Sequence, residues 1–481
     1  MDLHISLEGR GDRTDRIYRQ LRDAILDGRL RPGERVPPSR ELARSLSVAR
    51  NTVAAAYDRL VGDGFLEGRA GAGTFVAYSG EPQAPSRRAP AGPLLPARRW
   101  AALADEPPPT PPARYDLRVG HPDPALFPLA TWRRLLSRSL RATADYADPS
   151  GLPGLRGAIA RHVGLSRSVR AGGEDVLVTA GAQQAIDLVG RVLIEPGTVA
   201  AVEEPGYRPV RRLFGSHGAR VVGVPVDADG IVVDAIPPSA RLVYVTPSHQ
   251  HPLGTAMSLA RRSALLAWAQ EHRAAIVEDD YDSEFRFSDR PLEPLQSLDR
   301  AGRVIYVGSF SKTLLPSLRL GFLVAPEALR PALRAARRLA DWHGEPAAQA
   351  ALAAFIDEGL LQRHLRSVAR VYAARHELVV RAARGPLAPW FSLVPSSAGL
   401  HVALRCTAPL DVPLDVPGLV RGLRAAGVAV EPLTHFYAEP PRVPDPGLAI
   451  GYGAIATADL PEALDRLADQ ADRADQAGSV D

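Results

Sequence analysis

The sequence predicts an α/β chain of two unlike parts: a small unit of short helices and a hairpin, and a larger unit built on a mostly parallel sheet with helices on both faces. Three observations carry this. Over residues 113 to 325, apolar strand-like segments alternate with helical ones. Ten prolines fall between Glu81 and Pro112, with no sustained apolar period, and divide the chain. Residues 1–78 show short helical periods followed by a glycine-tipped alternating stretch. A length of 481 residues suits about three domains at roughly 150 residues each. A hydrophobic fraction of 46% and a charged fraction of 23% are those of an ordinary globular chain. The single cysteine, Cys406, excludes an internal disulfide framework, and no zinc-type Cys/His spacing occurs. A charged beginning (Asp2, Glu8, Arg10, Asp12, Arg13) predicts no signal peptide, and no apolar run is long enough for a membrane span. The expected location is the cytoplasm.

In residues 1–78, Arg16–Leu26 places Ile17, Leu21, Ala24 and Ile25 on one helical face. Ser39–Leu46 and Thr52–Leu60 predict two short helices around a tight turn, and Phe65–Ala77 predicts a hairpin tipped by Gly71-Ala72-Gly73. Such an order is a winged helix-turn-helix, whose second helix presents its N-terminus to a DNA groove. Local charge agrees, because Ser39–Thr52 holds Arg40, Arg44 and Arg50 against Glu41 alone. Arg50 has the fork geometry for guanine, Asn51 and Thr52 suit bases or phosphate, and Arg69 with the Gly71 tip suits the backbone or minor groove. A helical protein-interaction module is the alternative on pattern alone.

The runs Gly33-Glu34-Arg35-Val36-Pro37-Pro38-Ser39-Arg40-Glu41-Leu42-Ala43, Val48-Ala49-Arg50-Asn51-Thr52-Val53 and Gly71-Ala72-Gly73-Thr74-Phe75-Val76 resemble the GntR family, with Pro37-Pro38 where Leu-Pro is usual. The resemblance implies DNA contacts at Ser39, Arg40, Arg50, Asn51, Thr52 and Gly71. Residues 79–112 then read as a proline-rich linker; Trp100 and Leu103 are its candidate anchors should it wrap onto the large unit.

Candidate strands of the large unit are Asp175–Thr179, Val199–Glu203, Arg220–Val226, Leu242–Thr246, Ala275–Glu278, Val304–Val307 and Gly321–Ala325, with helices such as Gln183–Ile194 and Ala260–His272 between some of them. Beyond 326 the chain turns helical and then α+β, predicting a smaller C-terminal domain over 326–475. One count stands out: of 58 basic residues, only Lys312 is a lysine. Where arginine replaces lysine throughout, a surviving primary amine suggests chemistry that guanidinium cannot perform, such as a Schiff base. An incidental surface lysine is the bland alternative.

Lys312 lies in Gly308-Ser309-Phe310-Ser311-Lys312-Thr313, just past a strand and ahead of Arg319. That set suits pyridoxal 5′-phosphate (PLP), with Lys312 bonded to the aldehyde and Ser309 and Arg319 holding the phosphate. Ala180-Gly181-Ala182-Gln183 opens a helix with small residues that let backbone N–H groups approach phosphate. Tyr207 is placed to stack on the ring, Asp279 to hold the ring nitrogen and Tyr281 to bond the ring hydroxyl. All these residues follow strand carboxyl ends, where open α/β sheets bind ligands. Asp279 and Asp280 might suggest a metal pair, but no His or third acid stands at ligand spacing, so no metal is expected.

This region resembles fold-type I aminotransferases. The order of the parts is similar to the MocR subfamily of bacterial regulators, as are Tyr146-Ala147-Asp148-Pro149-Ser150-Gly151, Thr246-Pro247-Ser248-His249-Gln250 and Glu278-Asp279-Asp280-Tyr281-Asp282. The resemblance implies Lys312 as the PLP lysine and a cofactor site of Gly181, Ala182, Gln183, Tyr207, Asp279, Tyr281, Ser309, Ser311 and Arg319. It also implies a head-to-tail homodimer on double-stranded operator DNA, associated with the nucleoid when bound. Two departures matter. Ala449, in Leu448-Ala449-Ile450-Gly451-Tyr452, stands where these proteins carry an arginine for a substrate carboxylate, with Arg405 and His401 as the nearby alternatives. His251-Pro252-Leu253-Gly254 replaces an Asn-Pro-Thr-Gly turn.

The expected function is a PLP-binding transcription regulator. It senses PLP itself, and so vitamin B6 status, or an amino compound as an aldimine; the missing clamp favours the former. An aminotransferase with a vestigial head and a DNA-binding scaffold that has lost PLP are the competing readings.

Overall fold

A computed structural model describes residues 5–7, 12–78, 93–101, 103–104, 113–141, 145–287, 293–396, 398–407, 414–438 and 446–478. Most of the proline-rich stretch lies outside the described residues. Two compact units result, Met1–Ala97 and Arg98–Asp481.

In the first unit, helices α1 (Arg13–Leu26), α2 (Ser39–Ser45) and α3 (Arg50–Gly62) precede strands β1 (Leu66–Arg69) and β2 (Gly73–Val76). Asp12 caps α1 by accepting from the Thr14 N–H. Ile17, Leu21 and Ile25 share one core with Leu42, Val53, Tyr57, Leu60, Leu66 and Val76, which fixes the helices and the hairpin as one body. Helix α3 begins two residues earlier than the sequence predicts, so Arg50 and Asn51 sit in its first turn. The hairpin pairs Leu66 with Val76 and Arg69 with Gly73. Its tip needs a left-handed residue, supplied by Gly71 at φ 74°.

The second unit opens with β3 (Tyr115–Asp116) and then builds an eight-stranded sheet from β4 (Val176–Thr179), β5 (Val199–Glu204), β6 (Arg220–Asp227), β7 (Gly230–Ile231), β8 (Ala240–Val245), β9 (Ala275–Asp280), β10 (Val304–Ser309) and β11 (Gly321–Val324). Its order is β4-β11-β10-β9-β8-β5-β6-β7. Neighbours from β10 through β6 are parallel, whereas β11 runs antiparallel to both β10 and β4. A short connection, residues 310–320, explains the exception: it is too short for a helical crossover and returns the chain as a hairpin does.

Helices cover both faces of the sheet. Ala185, Ile186 and Val189 of helix Ala182–Leu193, with Val210 and Phe214 of helix Arg208–Ser216, pack on Val202, Tyr244, Val277 and Val307. On the other face, Leu265 and Ala269 meet Val243, Val245 and Ile276, while Leu155, Ile159 and Val163 meet Val178, Tyr306 and Phe322.

The smaller layer is an antiparallel sheet of β12 (Phe391–Leu393), β13 (His401–Cys406), β16 (Gly447–Gly451) and β15 (Glu431–Pro432), packed on helices Leu360–Arg384, Val416–Ala425 and Leu460–Gly478. Tyr115–Asp116 pairs in parallel with β14 (Val428–Ala429), and Tyr115 and Leu117 join this second core. The start of the unit is therefore stitched to its C-terminal part, which a two-residue strand does not signal in sequence. Residues 98–104 also belong to this unit, where the Leu103 carbonyl accepts from Arg212 at 3.0 Å.

Candidate functional site

Residues at one edge of the large sheet enclose a cavity of about 440 Å³. Parallel strands deliver Tyr207, Thr246, Asp279, Tyr281 and Ser309 there, and the β10–β11 connection adds Ser311, Lys312 and Arg319. Ala182 and Gln183 line it from the start of their helix. Gly181 is the N-cap of that helix, and a Cβ there would lie 3.0 Å from Arg319 Nη1. All ten residues picked from the sequence thus converge, nine lining the cavity and Gly181 backing Arg319 against it.

Geometry sorts them into two ends. At one, Arg319 donates to the Ala180 carbonyl beside Gly181, and the Ser311 N–H donates to Ser309 Oγ at 3.1 Å. Guanidinium, hydroxyl and helix N-terminal N–H groups gathered together suit an anion. At the other, Asp279 Oδ2 accepts from Tyr244 at 2.6 Å, while Asp279 Oδ1 is buried without a partner. Burial, together with nearby Asp280, raises the Asp279 carboxyl to about 7 despite the Tyr244 bond. An uncompensated buried oxygen is costly, so a donor supplied by a ligand would relieve it.

Between the ends, Lys312 Nζ donates to the Gly120 carbonyl at 2.5 Å. Burial lowers the lysine's pKa, although Asp282 and Asp279 oppose the shift, and this favours the nucleophilic neutral amine. Tyr207 stands edge-on to His251, ring centres 5.6 Å apart. Burial pushes the Tyr207 hydroxyl up to about 12. Tyr281 donates to the His249 carbonyl at 2.9 Å.

The adjacent acids part company. Neighbours on a strand face opposite sides, and Asp280 turns away to meet Arg167 Nε at 2.8 Å and Tyr306 at 2.6 Å. Burial alone would raise its carboxyl, but Arg167 and hydroxyl donors outweigh it and hold it below the usual range. Asp279 and Asp280 are thus no metal pair. The structure does assemble a cluster that sequence spacing missed: His249, Asp282 and His401 are buried with potential ligand atoms within 4.8 Å of one another. His249 Nδ1 lies 3.0 Å from Asp282 Oδ2.

Further lining residues had no sequence signal: Val119, Gly120, Tyr244, His251, Glu431, His435 and Phe436. Ala449 is fully buried with Leu253, Leu433 and Phe436 behind the wall. Neither Arg405 nor His401 lines the cavity, so neither replaces a carboxylate clamp.

In the first unit, Arg40, Arg50 and Asn51 are exposed, with no side-chain partner among the described residues, and Ser39 and Thr52 are half-buried. Arg69 is less free than its sequence suggests. Its guanidinium pairs with Glu67 at 2.6 Å and lies 4.6 Å from the Phe75 ring centre. Arg35, not singled out from the sequence, packs beside Gly73.

Two family models match the chain: bacterial regulatory proteins of the gntR family over residues 13–76, and aminotransferase class I and II over residues 116–467. Relatives align along nearly the whole length. The probable rhizopine catabolism regulatory protein MocR of Rhizobium meliloti is 39% identical, over 94% of this chain and 92% of its own. The pyridoxine biosynthesis transcriptional regulator PdxR of Corynebacterium glutamicum is 32% identical, over 91% of each. Among solved structures, the multiple substrate aminotransferase of Thermococcus profundus superposes with a TM-score of 0.69 at 27% identity, covering 80% of this chain and 97% of that one.

Proposed function

Because this chain belongs to the MocR subfamily of GntR-type transcription regulators, we propose that its aminotransferase-like unit holds PLP and that ligand binding there alters operator DNA binding. The carrying observation is the cavity's polarity. A cationic, N–H-rich end at Ser309, Arg319 and Ala182 faces a buried carboxylate with an unpartnered oxygen, and the only lysine of the chain stands between. Phosphate at the first end and a protonated ring nitrogen against Asp279 Oδ1 would satisfy both, with Tyr207 flanking the ring and Tyr281 near its hydroxyl. When bound, PLP supplies an aldehyde carbon reactive toward primary amines. Lys312 contributes the attacking amine, Asp279 holds a proton at the ring nitrogen, and Arg319, Ser309 and Ser311 orient the phosphate.

In the DNA-binding unit, the exposed first turn of α3 supplies Arg50 and Asn51 for base edges, with Thr52, Ser39, Arg40 and the Gly71 tip for phosphates. Arg69 reaches DNA only by leaving Glu67. The effector is PLP or an amino compound that competes for the same carbon, and a switch requires that it favour one DNA-binding state over another. A head-to-tail homodimer fits the exposed Tyr146, Trp342 and Leu339 (72%, 53% and 85% exposed), since such apolar groups on one unit suit a second copy.

The test is to load the full chain with PLP, reduce with borohydride and map the labelled peptide. Label at Lys312 is expected. Lys312→Ala should keep operator affinity near wild type and lose the effector response; an unchanged response in that variant refutes the sensor.

A further inference from the structure

The charged groups lining the cavity are Lys312, Arg319, Arg208, Asp279 and Glu431. Three have assigned work: Arg319 at the phosphate end, Asp279 at the ring nitrogen and Lys312 at the aldehyde. Arg208 is exposed in the first turn of its helix. Glu431 is different. Its Oε2 accepts from the Val119 N–H at 3.0 Å, one residue from the Gly120 carbonyl that holds Lys312 Nζ. Its other oxygen has no hydrogen-bond partner among the described residues. The nearest arginine in sequence, Arg118, donates through Nε and Nη2 to Asp116 at 2.8 and 2.6 Å and so is already matched to a carboxylate.

Across the β15–β16 pair, Glu431 stands directly opposite Ala449, so both side chains project from the same face of that sheet. The wall nearest the lysine amine therefore presents a carboxylate with an open acceptor, backed by a small apolar residue. Donors suit that wall and anions do not, because like charges brought together in a partly desolvated cavity repel strongly.

We propose that this cavity selects a primary amine bearing hydroxyl or ammonium groups where an amino acid bears its carboxylate, with Glu431 accepting a hydrogen bond from them. The inference rests on the PLP reading above and names the effector class for the same site. His251 and His435 also line the cavity and add polar partners for a hydroxylated ligand, while Tyr207 and Phe436 cover its carbon skeleton.

A matched pair of probes tests it. Serinol and L-serine share the amine and one hydroxymethyl group, and differ in a second hydroxymethyl against a carboxylate. Calorimetric titration of the PLP-loaded full chain should give serinol at least tenfold tighter binding, which is about 1.4 kcal/mol. Glu431→Gln, which removes the charge but keeps an acceptor, should narrow that ratio below about threefold. L-serine binding as tightly as serinol, or no heat with either, overturns the proposal. A ratio unchanged in Glu431→Gln overturns the role of Glu431. Failure to take up PLP shows in the cofactor absorbance before any amine is added, and overturns the cofactor reading on which the inference stands.

Discussion

Substituting Gly181 by alanine tests how the cofactor end is built. Gly181 has φ 82° and ψ 175°, a conformation open almost only to glycine. Holding alanine there costs about 1–3 kcal/mol. The new methyl would also lie 3.0 and 3.1 Å from Arg319 Nη1 and Nη2. Arg319 is exposed, so its guanidinium can swing aside cheaply, but it then leaves the Ala180 carbonyl and the proposed phosphate position. A hydrogen bond to a charged group is worth about 1.5–3 kcal/mol, or roughly ten- to a hundredfold in PLP affinity. Two measurements read the two effects: thermal unfolding, which should fall by a few degrees, and PLP titration by absorbance. Arg319→Ala separates them, since it should weaken PLP similarly while leaving unfolding near wild type. Wild-type PLP affinity in Gly181→Ala would refute the placement of phosphate between this turn and Arg319.

Arg50→Ala should weaken operator binding and lower the salt slope by about one if Arg50 meets phosphate, or relax preference at one base pair if it meets guanine; PLP uptake should not change in either case. Arg167→Met leaves Asp280 and Tyr306 buried without their cation and should cost about 3–5 kcal/mol in denaturant unfolding, because Arg167 and Asp280 are both almost wholly buried. His162, lowered by burial to about 4 from its ordinary 6.5, contributes stability that is fully present above pH 6.5 and is lost as pH falls through 4. The full contribution is about 3 kcal/mol, and His162→Gln should flatten that part of the acid limb in a stability–pH series.

Much of the cofactor end was legible because each of its residues follows a strand end within a few positions of a local signal. Gly181-Ala182 opens a helix, Asp279 closes a hydrophobic strand, and Lys312 is the only lysine in the chain. The DNA-reading turn was legible for the same reason, being contiguous around Arg50. What escaped was assembled over distance. Glu431 meets Val119 across 312 positions, and His249, Asp282 and His401 converge from three separate segments. No short-range pattern encodes such meetings. Arg69 looked free because its pairing with Glu67 and Phe75 requires the hairpin register to be known.

The sequence by itself determined the two-part α/β plan, the strands and the chemistry of the cofactor end, because period, turn residues and a unique amine are local properties. Tertiary structure alone decided the antiparallel β11, the separation of Asp279 from Asp280 into unlike environments, and the sign of charge beside Lys312. Those depend on which strands pair and which backbones approach. Burial then sets the worth of each charge: Asp280 stays ionised against Arg167, while Asp279 faces the cavity with one oxygen still unpaired.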